Sequence, residues 1–192
     1  MDEYAKSPQF MQALNESARL LAQNRPGEAV ARLLPLYAED PTHPDVIINL
    51  GGAYILQRQW NKAASVLRAG ARHNPDNAMV WANLGAAELG NLAIAGPRQQ
   101  ERAIRAYERA LQADPQAPNV HYHLGLIYKE RGDRPRAVAA FQRALAVQPG
   151  DRDAQSWLDR LSQELADAAP SAEADDGILS STDADAADGG NP

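Results

Sequence analysis

Along residues 118–151, PNVHYHLGLIYKERGDRPRAVAAFQRALAVQPGD, apolar and small residues recur at intervals of three and four. His121, Leu124, Gly125 and Tyr128 fall at i, i+3, i+4 and i+7, so they share one face of a helix. Gly132 and Asp133 break that pattern, and Asp is a preferred residue at a helix N-cap. Ala137, Phe141, Ala144 and Leu145 then form a second stripe of the same period, which Pro149-Gly150 ends. The pattern predicts two amphipathic helices joined by a tight turn, with small residues of one facing large residues of the other.

The same pattern occurs upstream. Residues 44–77 carry Leu50, Gly51, Tyr54, Ala63, Leu67 and Pro75, with Trp60 at the predicted turn. Residues 78–117 carry Trp81, Leu84, Gly85, Ala103, Tyr107, Ala110 and Pro115. Here Gly85 and Ala103 are 18 residues apart, against 12 for Gly51 to Ala63 and for Gly125 to Ala137. Six extra residues therefore lie between the two helices, around 91–100. They are predicted to extend or distort that hairpin while both helices keep their register. Glu88 stands where Tyr54 and Tyr128 stand, which predicts a weaker helix contact there. Residues 10–43 form the weakest unit, with Leu20, Ala29, Leu33 and Pro41 in the matching places. Pro26 suits a first turn, but Pro35 is predicted to kink or shorten its helix.

The spacing Leu-Gly-x2-Tyr…Ala-x3-Phe…Pro is similar to that of the tetratricopeptide repeat, a helix–turn–helix unit of about 34 residues. The resemblance covers residues 10–151. It implies an all-α fold, a right-handed α-solenoid of helix pairs, with units at 10–43 (degenerate), 44–77, 78–117 (with the insert) and 118–151. A degenerate first unit fits an end of the stack, where only one neighbour exists. Residues 152–167, with Trp157, Leu158, Leu161 and Leu165 on one stripe, are read as a capping helix. Residues 1–9 are a lead-in. The resemblance also implies that first helices line a concave groove and second helices form the convex back. Members of the family generally act as adaptors or scaffolds that hold a peptide or a helix.

Composition narrows the rest. The chain has 192 residues, 6% aromatic residues and no cysteine, which excludes a disulfide framework, a thiol nucleophile and a cysteine metal site. No apolar run reaches membrane-spanning length, and the first residues lack an apolar leader segment, so a soluble, cytoplasmic protein without a membrane partner is expected. The net charge of −6 sits in one place. Residues 168–192 hold Glu173, Asp175, Asp176, Asp183, Asp185 and Asp188 with no Lys or Arg, so residues 1–167 balance. That acidic tail is too poor in apolar residues to offset its ordering entropy, and disorder is predicted for it. The acidic balance argues against nonspecific nucleic-acid binding.

Candidate chemistry is sparse. His121 and His123 project about 200° apart on a helix and cannot share a metal. His121 takes the packed position of Trp81. No Ser/His/Asp set, phosphate loop or paired-carboxylate motif stands out, so no catalytic, cofactor or metal site is expected. The groove is more informative. Asn15, Asn49, Asn83 and His123 recur at spacings of 34, 34 and 40, which stacks them in a ladder on the predicted concave wall. A side-chain amide has one acceptor and two donors, so it can match a peptide backbone whatever its sequence. Similar asparagine ladders grip peptides in the family. The alternative is that these amides bond water or a neighbouring helix. Asn119, Tyr122 and Leu126 complete the face of the last unit. Between rungs, Leu14, Ile48, Ile55, Leu56, Met79 and Leu89 give an apolar wall, some of which could instead pack inward. The family's carboxylate clamp would fall on Leu14, Ala18, Asn49, Met79 and Asn83, or one unit on, on Ile48, Gly52, Asn83, Asn119 and His123. Neither set holds Lys or Arg, so a clamp is not expected.

Arg98, Arg102, Arg105 and Arg109 fall at i, i+4, i+7 and i+11, a stripe on a second helix. It reads as a solvated face with Glu101 and Arg105 paired, or as a docking strip for an acidic partner. The functional expectation is a non-catalytic, monomeric adaptor that binds a protein or peptide segment. The competing expectation is a structural protein that self-assembles through its groove or its first unit.

Overall fold

A computed structural model describes residues 7–168 of the chain. Its helices are α1 (Pro8–Ala22), α2 (Pro26–Glu39), α3 (Pro44–Leu56), α4 (Trp60–His73), α5 (Ala78–Leu89), α6 (Pro97–Ala113), α7 (Val120–Glu130), α8 (Arg134–Val147) and α9 (Arg152–Ala168). One 3-10 turn, Leu92–Ile94, lies between α5 and α6, and no strand occurs among the described residues. Residues 1–6 of the expected lead-in lie outside the described residues. So does the expected acidic tail, apart from Ala168, which closes α9.

The helices pair as the periodicity predicts: α1 with α2, α3 with α4, α5 with α6 and α7 with α8. Each second helix also packs against the next first helix, and α8 packs against α9. First helices touch one another, α1 to α3 and α3 to α5. The fold is thus an all-α solenoid with first helices as its inner layer. Its core is a chain of three apolar clusters. Trp81 borders the first two and Tyr128 the last two.

Three glycines explain how close the paired helices come. A Cβ at Gly51 would lie 2.6 Å from the Leu67 side chain, one at Gly85 2.6 Å from the Tyr107 ring, and one at Gly125 2.8 Å from the Phe141 ring. Each glycine is the hole for the large residue of its partner helix. The starts of α5 and α8 carry side-chain caps. Asn77 Oδ1 accepts from Met79 N and Val80 N, and Asp133 Oδ1 accepts from Arg136 N, each at 3.1 Å.

Three local expectations are corrected. Of the two outcomes expected of Pro35, shortening does not occur, since α2 keeps 14 residues with Pro35 inside it. Glu88 does not weaken its pair: α5 and α6 share the most extensive seam of any two helices. The Glu88 carboxylate is buried and accepts from Arg68 and from Arg102, the latter at 2.6 Å. Burial pushes its pKa up, but the bonds and charges of the two guanidiniums outweigh this and hold it below the ordinary value. Third, Asn119 is not on the face of α7. It takes a left-handed conformation, φ 62°, which Asn tolerates better than most residues, and α7 starts after it at Val120.

The insert is divided between two elements. α6 begins six residues before Ala103, whereas α4 begins three before Ala63, so the second helix gains a turn. The loop between α5 and α6 absorbs the rest. Leu92 and Ala95 pack on the second cluster, while Ile94 is 81% exposed.

Candidate functional site

The expected ladder is only partly assembled. Asn15 is exposed on α1, beside Met11, Gln12 and Arg19 in an open cleft of ≈ 620 Å³. Asn49 and Asn83 are half-buried on the adjacent helices α3 and α5. The Asn83 amide donates to the Ile48 carbonyl at 3.5 Å, the long limit of a hydrogen bond, and its oxygen accepts from no described residue. His123 departs from the ladder. Its ring stacks on Tyr107 at 5.6 Å with an 11° interplanar angle, and burial pushes its pKa down. His123 is half-buried, as Asn49 and Asn83 are, but its ring lies flat over the α6 side chain that fills Gly85's hole.

The apolar wall divides as its geometry dictates. Leu14 and Leu89 are buried. Ile48, Ile55, Tyr122 and Leu126 are half-buried, and Ile48 and Ile55 border the first core cluster. Leu56 is 53% exposed and Met79 40%. Leu56 and Met79 therefore present free apolar surface near Asn49 and Asn83 along the chain. Met79 also lines a cleft of ≈ 340 Å³ with Asn77, Ala82, Asp114 and Ala117. The seam between α6 and α7 is narrower than those joining the earlier pairs, and α5 barely meets α7.

At the far end stands a residue that sequence reasoning assigned only to packing. Trp157 of α9 lies under two cations, with Lys129 Nζ 4.5 Å and the Arg160 guanidinium 5.1 Å from its ring centroid. Tyr122 itself packs edge-on to Phe141 at 5.8 Å. The signal for Trp157 was its spacing: it follows His123 by 34 residues, the period of the ladder itself.

His121 behaves as the sequence predicts for a packed residue. Trp81 Nε1 donates to the Pro75 carbonyl at 2.8 Å, and the Pro115 carbonyl, six residues before His121 as Pro75 is before Trp81, acts to raise the His121 pKa. Burial first, then the charge of Arg143, lowers the His121 pKa, partly offset by that carbonyl.

The arginine stripe is largely engaged. Arg102 binds Glu88, Arg105 pairs with Glu101 at 3.2 Å, and Arg109 lies 5.3 Å from the Trp81 ring centroid. Arg98 has no charged partner among the described residues. Among those residues no cluster of His, Asp and Glu could hold a metal, and no helix is long and apolar enough to cross a membrane.

Stacked helix pairs with a shared inner layer define a helical-repeat protein. Tetratricopeptide repeat models match residues 20–87 and 118–151, and a TPR repeat model matches 99–132, together more than half of the chain. The chain belongs to the tetratricopeptide repeat family. It is 31% identical over 83 residues to the peroxisomal targeting signal receptor of Eremothecium gossypii, a match that covers 43% of this chain and 14% of that receptor. The chain thus spans only a small part of the curated relatives it matches. A thermophilic TPR protein of Thermus thermophilus superposes with TM-score 0.69 at 20% identity, over 81% of this chain and 82% of its own. MamA from Desulfovibrio magneticus does so with TM-score 0.68 at 23% identity, over 85% and 89%. At these identities the likeness concerns the fold.

Proposed function

We propose that this protein is a non-catalytic interaction adaptor that holds an extended peptide segment against α1, α3 and α5. The carrying observation is the pair Asn49 and Asn83, one repeat apart on neighbouring inner helices, with exposed Leu56 and Met79 on the same helices. The amides would bond the peptide backbone, and the apolar side chains would accept alternate side chains of the strand. Asn15 extends the row toward α1. Tyr122, Leu126 and Trp157 bound its far end. Asn119 and His123 do not contribute rungs in this reading. A relative's name, targeting signal receptor, is consistent with a peptide-reading role for this fold segment. The free protein is expected to be a monomer.

The test starts from peptides selected on the full chain from a displayed random library. Each amide bond contributes roughly 0.5–1.5 kcal/mol net, so Asn49→Ala and Asn83→Ala should each weaken a selected peptide by about two- to tenfold, with little change in melting temperature. Variants that melt several degrees lower yet bind normally would make the amides structural. Light scattering over a concentration series separates the self-assembly alternative. A mass that rises with concentration in the absence of peptide would favour it.

A further inference from the structure

The insert in the third repeat lengthens α6 by about a turn relative to α4. The extra turn of α6, from Pro97, stands beside the α7–α8 turn and leaves a cleft of ≈ 520 Å³ lined by Pro97, Arg98, Glu101, Arg102, Arg105 and Arg131. Its charges do not balance. Glu88 serves both Arg68 and Arg102, and Glu101 serves both Arg105 at 3.2 Å and Arg131 at 3.3 Å. Arg98 has no charged partner among the described residues. Four guanidiniums of the lining, those of Arg98, Arg102, Arg105 and Arg131, thus face one carboxylate of the lining, that of Glu101. The Arg105–Glu101 contact is long and exposed, so Arg105 can turn to an added anion at little cost, while Arg131 stays held by Gln100 at 3.0 Å and presents its charge from a fixed position.

We propose that this cleft docks the chain's own acidic segment, residues 169–192, which lie outside the described residues. The first argument is complementarity: six acids and no Lys or Arg face a cleft with excess positive charge. The second is position. Glu164, near the end of α9, pairs at 3.0 Å with Arg134, and Arg134 is three residues from Arg131 of the cleft. The chain therefore leaves α9 at the edge of the basic surface. Glu173 follows Ala168 by five residues, an extended reach of about 17 Å. Covalent attachment makes the encounter intramolecular, so contacts too weak for a separate peptide suffice. Docking there leaves α1, α3 and α5 open, so this inference stands apart from the groove.

The chain has no cysteine, which permits a clean single label. A nitroxide on Ser181→Cys in the full chain is read by its broadening of backbone amide signals. The expected result is signal loss confined to residues 97–105 and 131–134 at low salt. It should disappear when salt shortens the screening length from about 30 Å at 0.01 M to about 3 Å at 1 M. It should also disappear in Arg98→Glu/Arg105→Glu, whose side chains are exposed and whose helicity is checked by circular dichroism. Loss spread evenly over the molecule, or persisting in the arginine variant, overturns the proposal. Loss concentrated on α1, α3 and α5 also overturns it, because the segment would then occupy the inner layer.

Discussion

Tyr107 shows what one atom costs in a close-packed repeat. Its ring fills the hole at Gly85, as Phe141 fills the one at Gly125. Its hydroxyl is buried and finds no hydrogen-bond partner among the described residues, and burial drives its pKa up. A buried polar group left unpaired costs about 1–3 kcal/mol. Tyr107→Phe keeps the ring and removes the orphan, so it should raise stability by about 1 kcal/mol in a urea titration. A lower midpoint would mean that the hydroxyl has a stabilising partner. His121 and His123 bear on pH. Burial lowers both folded pKa values. The stability each contributes is full above the ordinary histidine value of about 6.5, and it is lost as pH falls through the folded value. The melting temperature should therefore fall between about pH 7 and pH 5. The drop should shrink in His123→Phe, which keeps a ring over Tyr107 without a proton to gain. A profile flat across that window contradicts the assignment.

At the scale of elements, helix existence was legible because every pair repeats the same stripe, and glycine facing a large residue is a local signal. The failures have separate causes. Pro35 was read by its missing donor, yet one lost bond does not end a helix that is held by Leu33 and Leu36 in the core. Glu88 was read as a missing aromatic, because its partner Arg68 lies on the preceding pair and Arg102 beyond the insert, and no local pattern joins them. The left-handed conformation of Asn119 was invisible because helical periodicity does not report φ. The insert has its own fastening. Gln100 is buried, donates to the Ala95 carbonyl at 3.0 Å and accepts from Arg131 at 3.0 Å, tying the lengthened α6 to the next hairpin. Gln100→Ala should cost about 1–2 kcal/mol in denaturant unfolding. An unchanged midpoint would show that the insert is held by Leu92 and Ala95 alone.

At the scale of the whole molecule, a solenoid's stability is close to a sum of units and their seams. The seam between α6 and α7 is joined by the shared second cluster, the Tyr107–His123 stack and the Arg131 bonds to Gln100 and Glu101. Half of the candidate groove was legible in the sequence, as the 34-residue ladder that holds Asn15, Asn49 and Asn83. His123 was not, because periodicity says which face a residue shares but not whether the layer beside it covers it. Trp157 shares that period but was masked by the apolar stripe of α9. The central claim is that the inner layer receives the peptide, and chemical-shift mapping of the full chain with one library-selected peptide tests it most directly. The account predicts that amide signals of α1, α3 and α5 around Asn15, Asn49 and Asn83 move on titration, and that Asn49→Ala/Asn83→Ala abolishes most of the movement. Shifts confined to α2, α4 and α6, or unchanged by the double substitution, would contradict it.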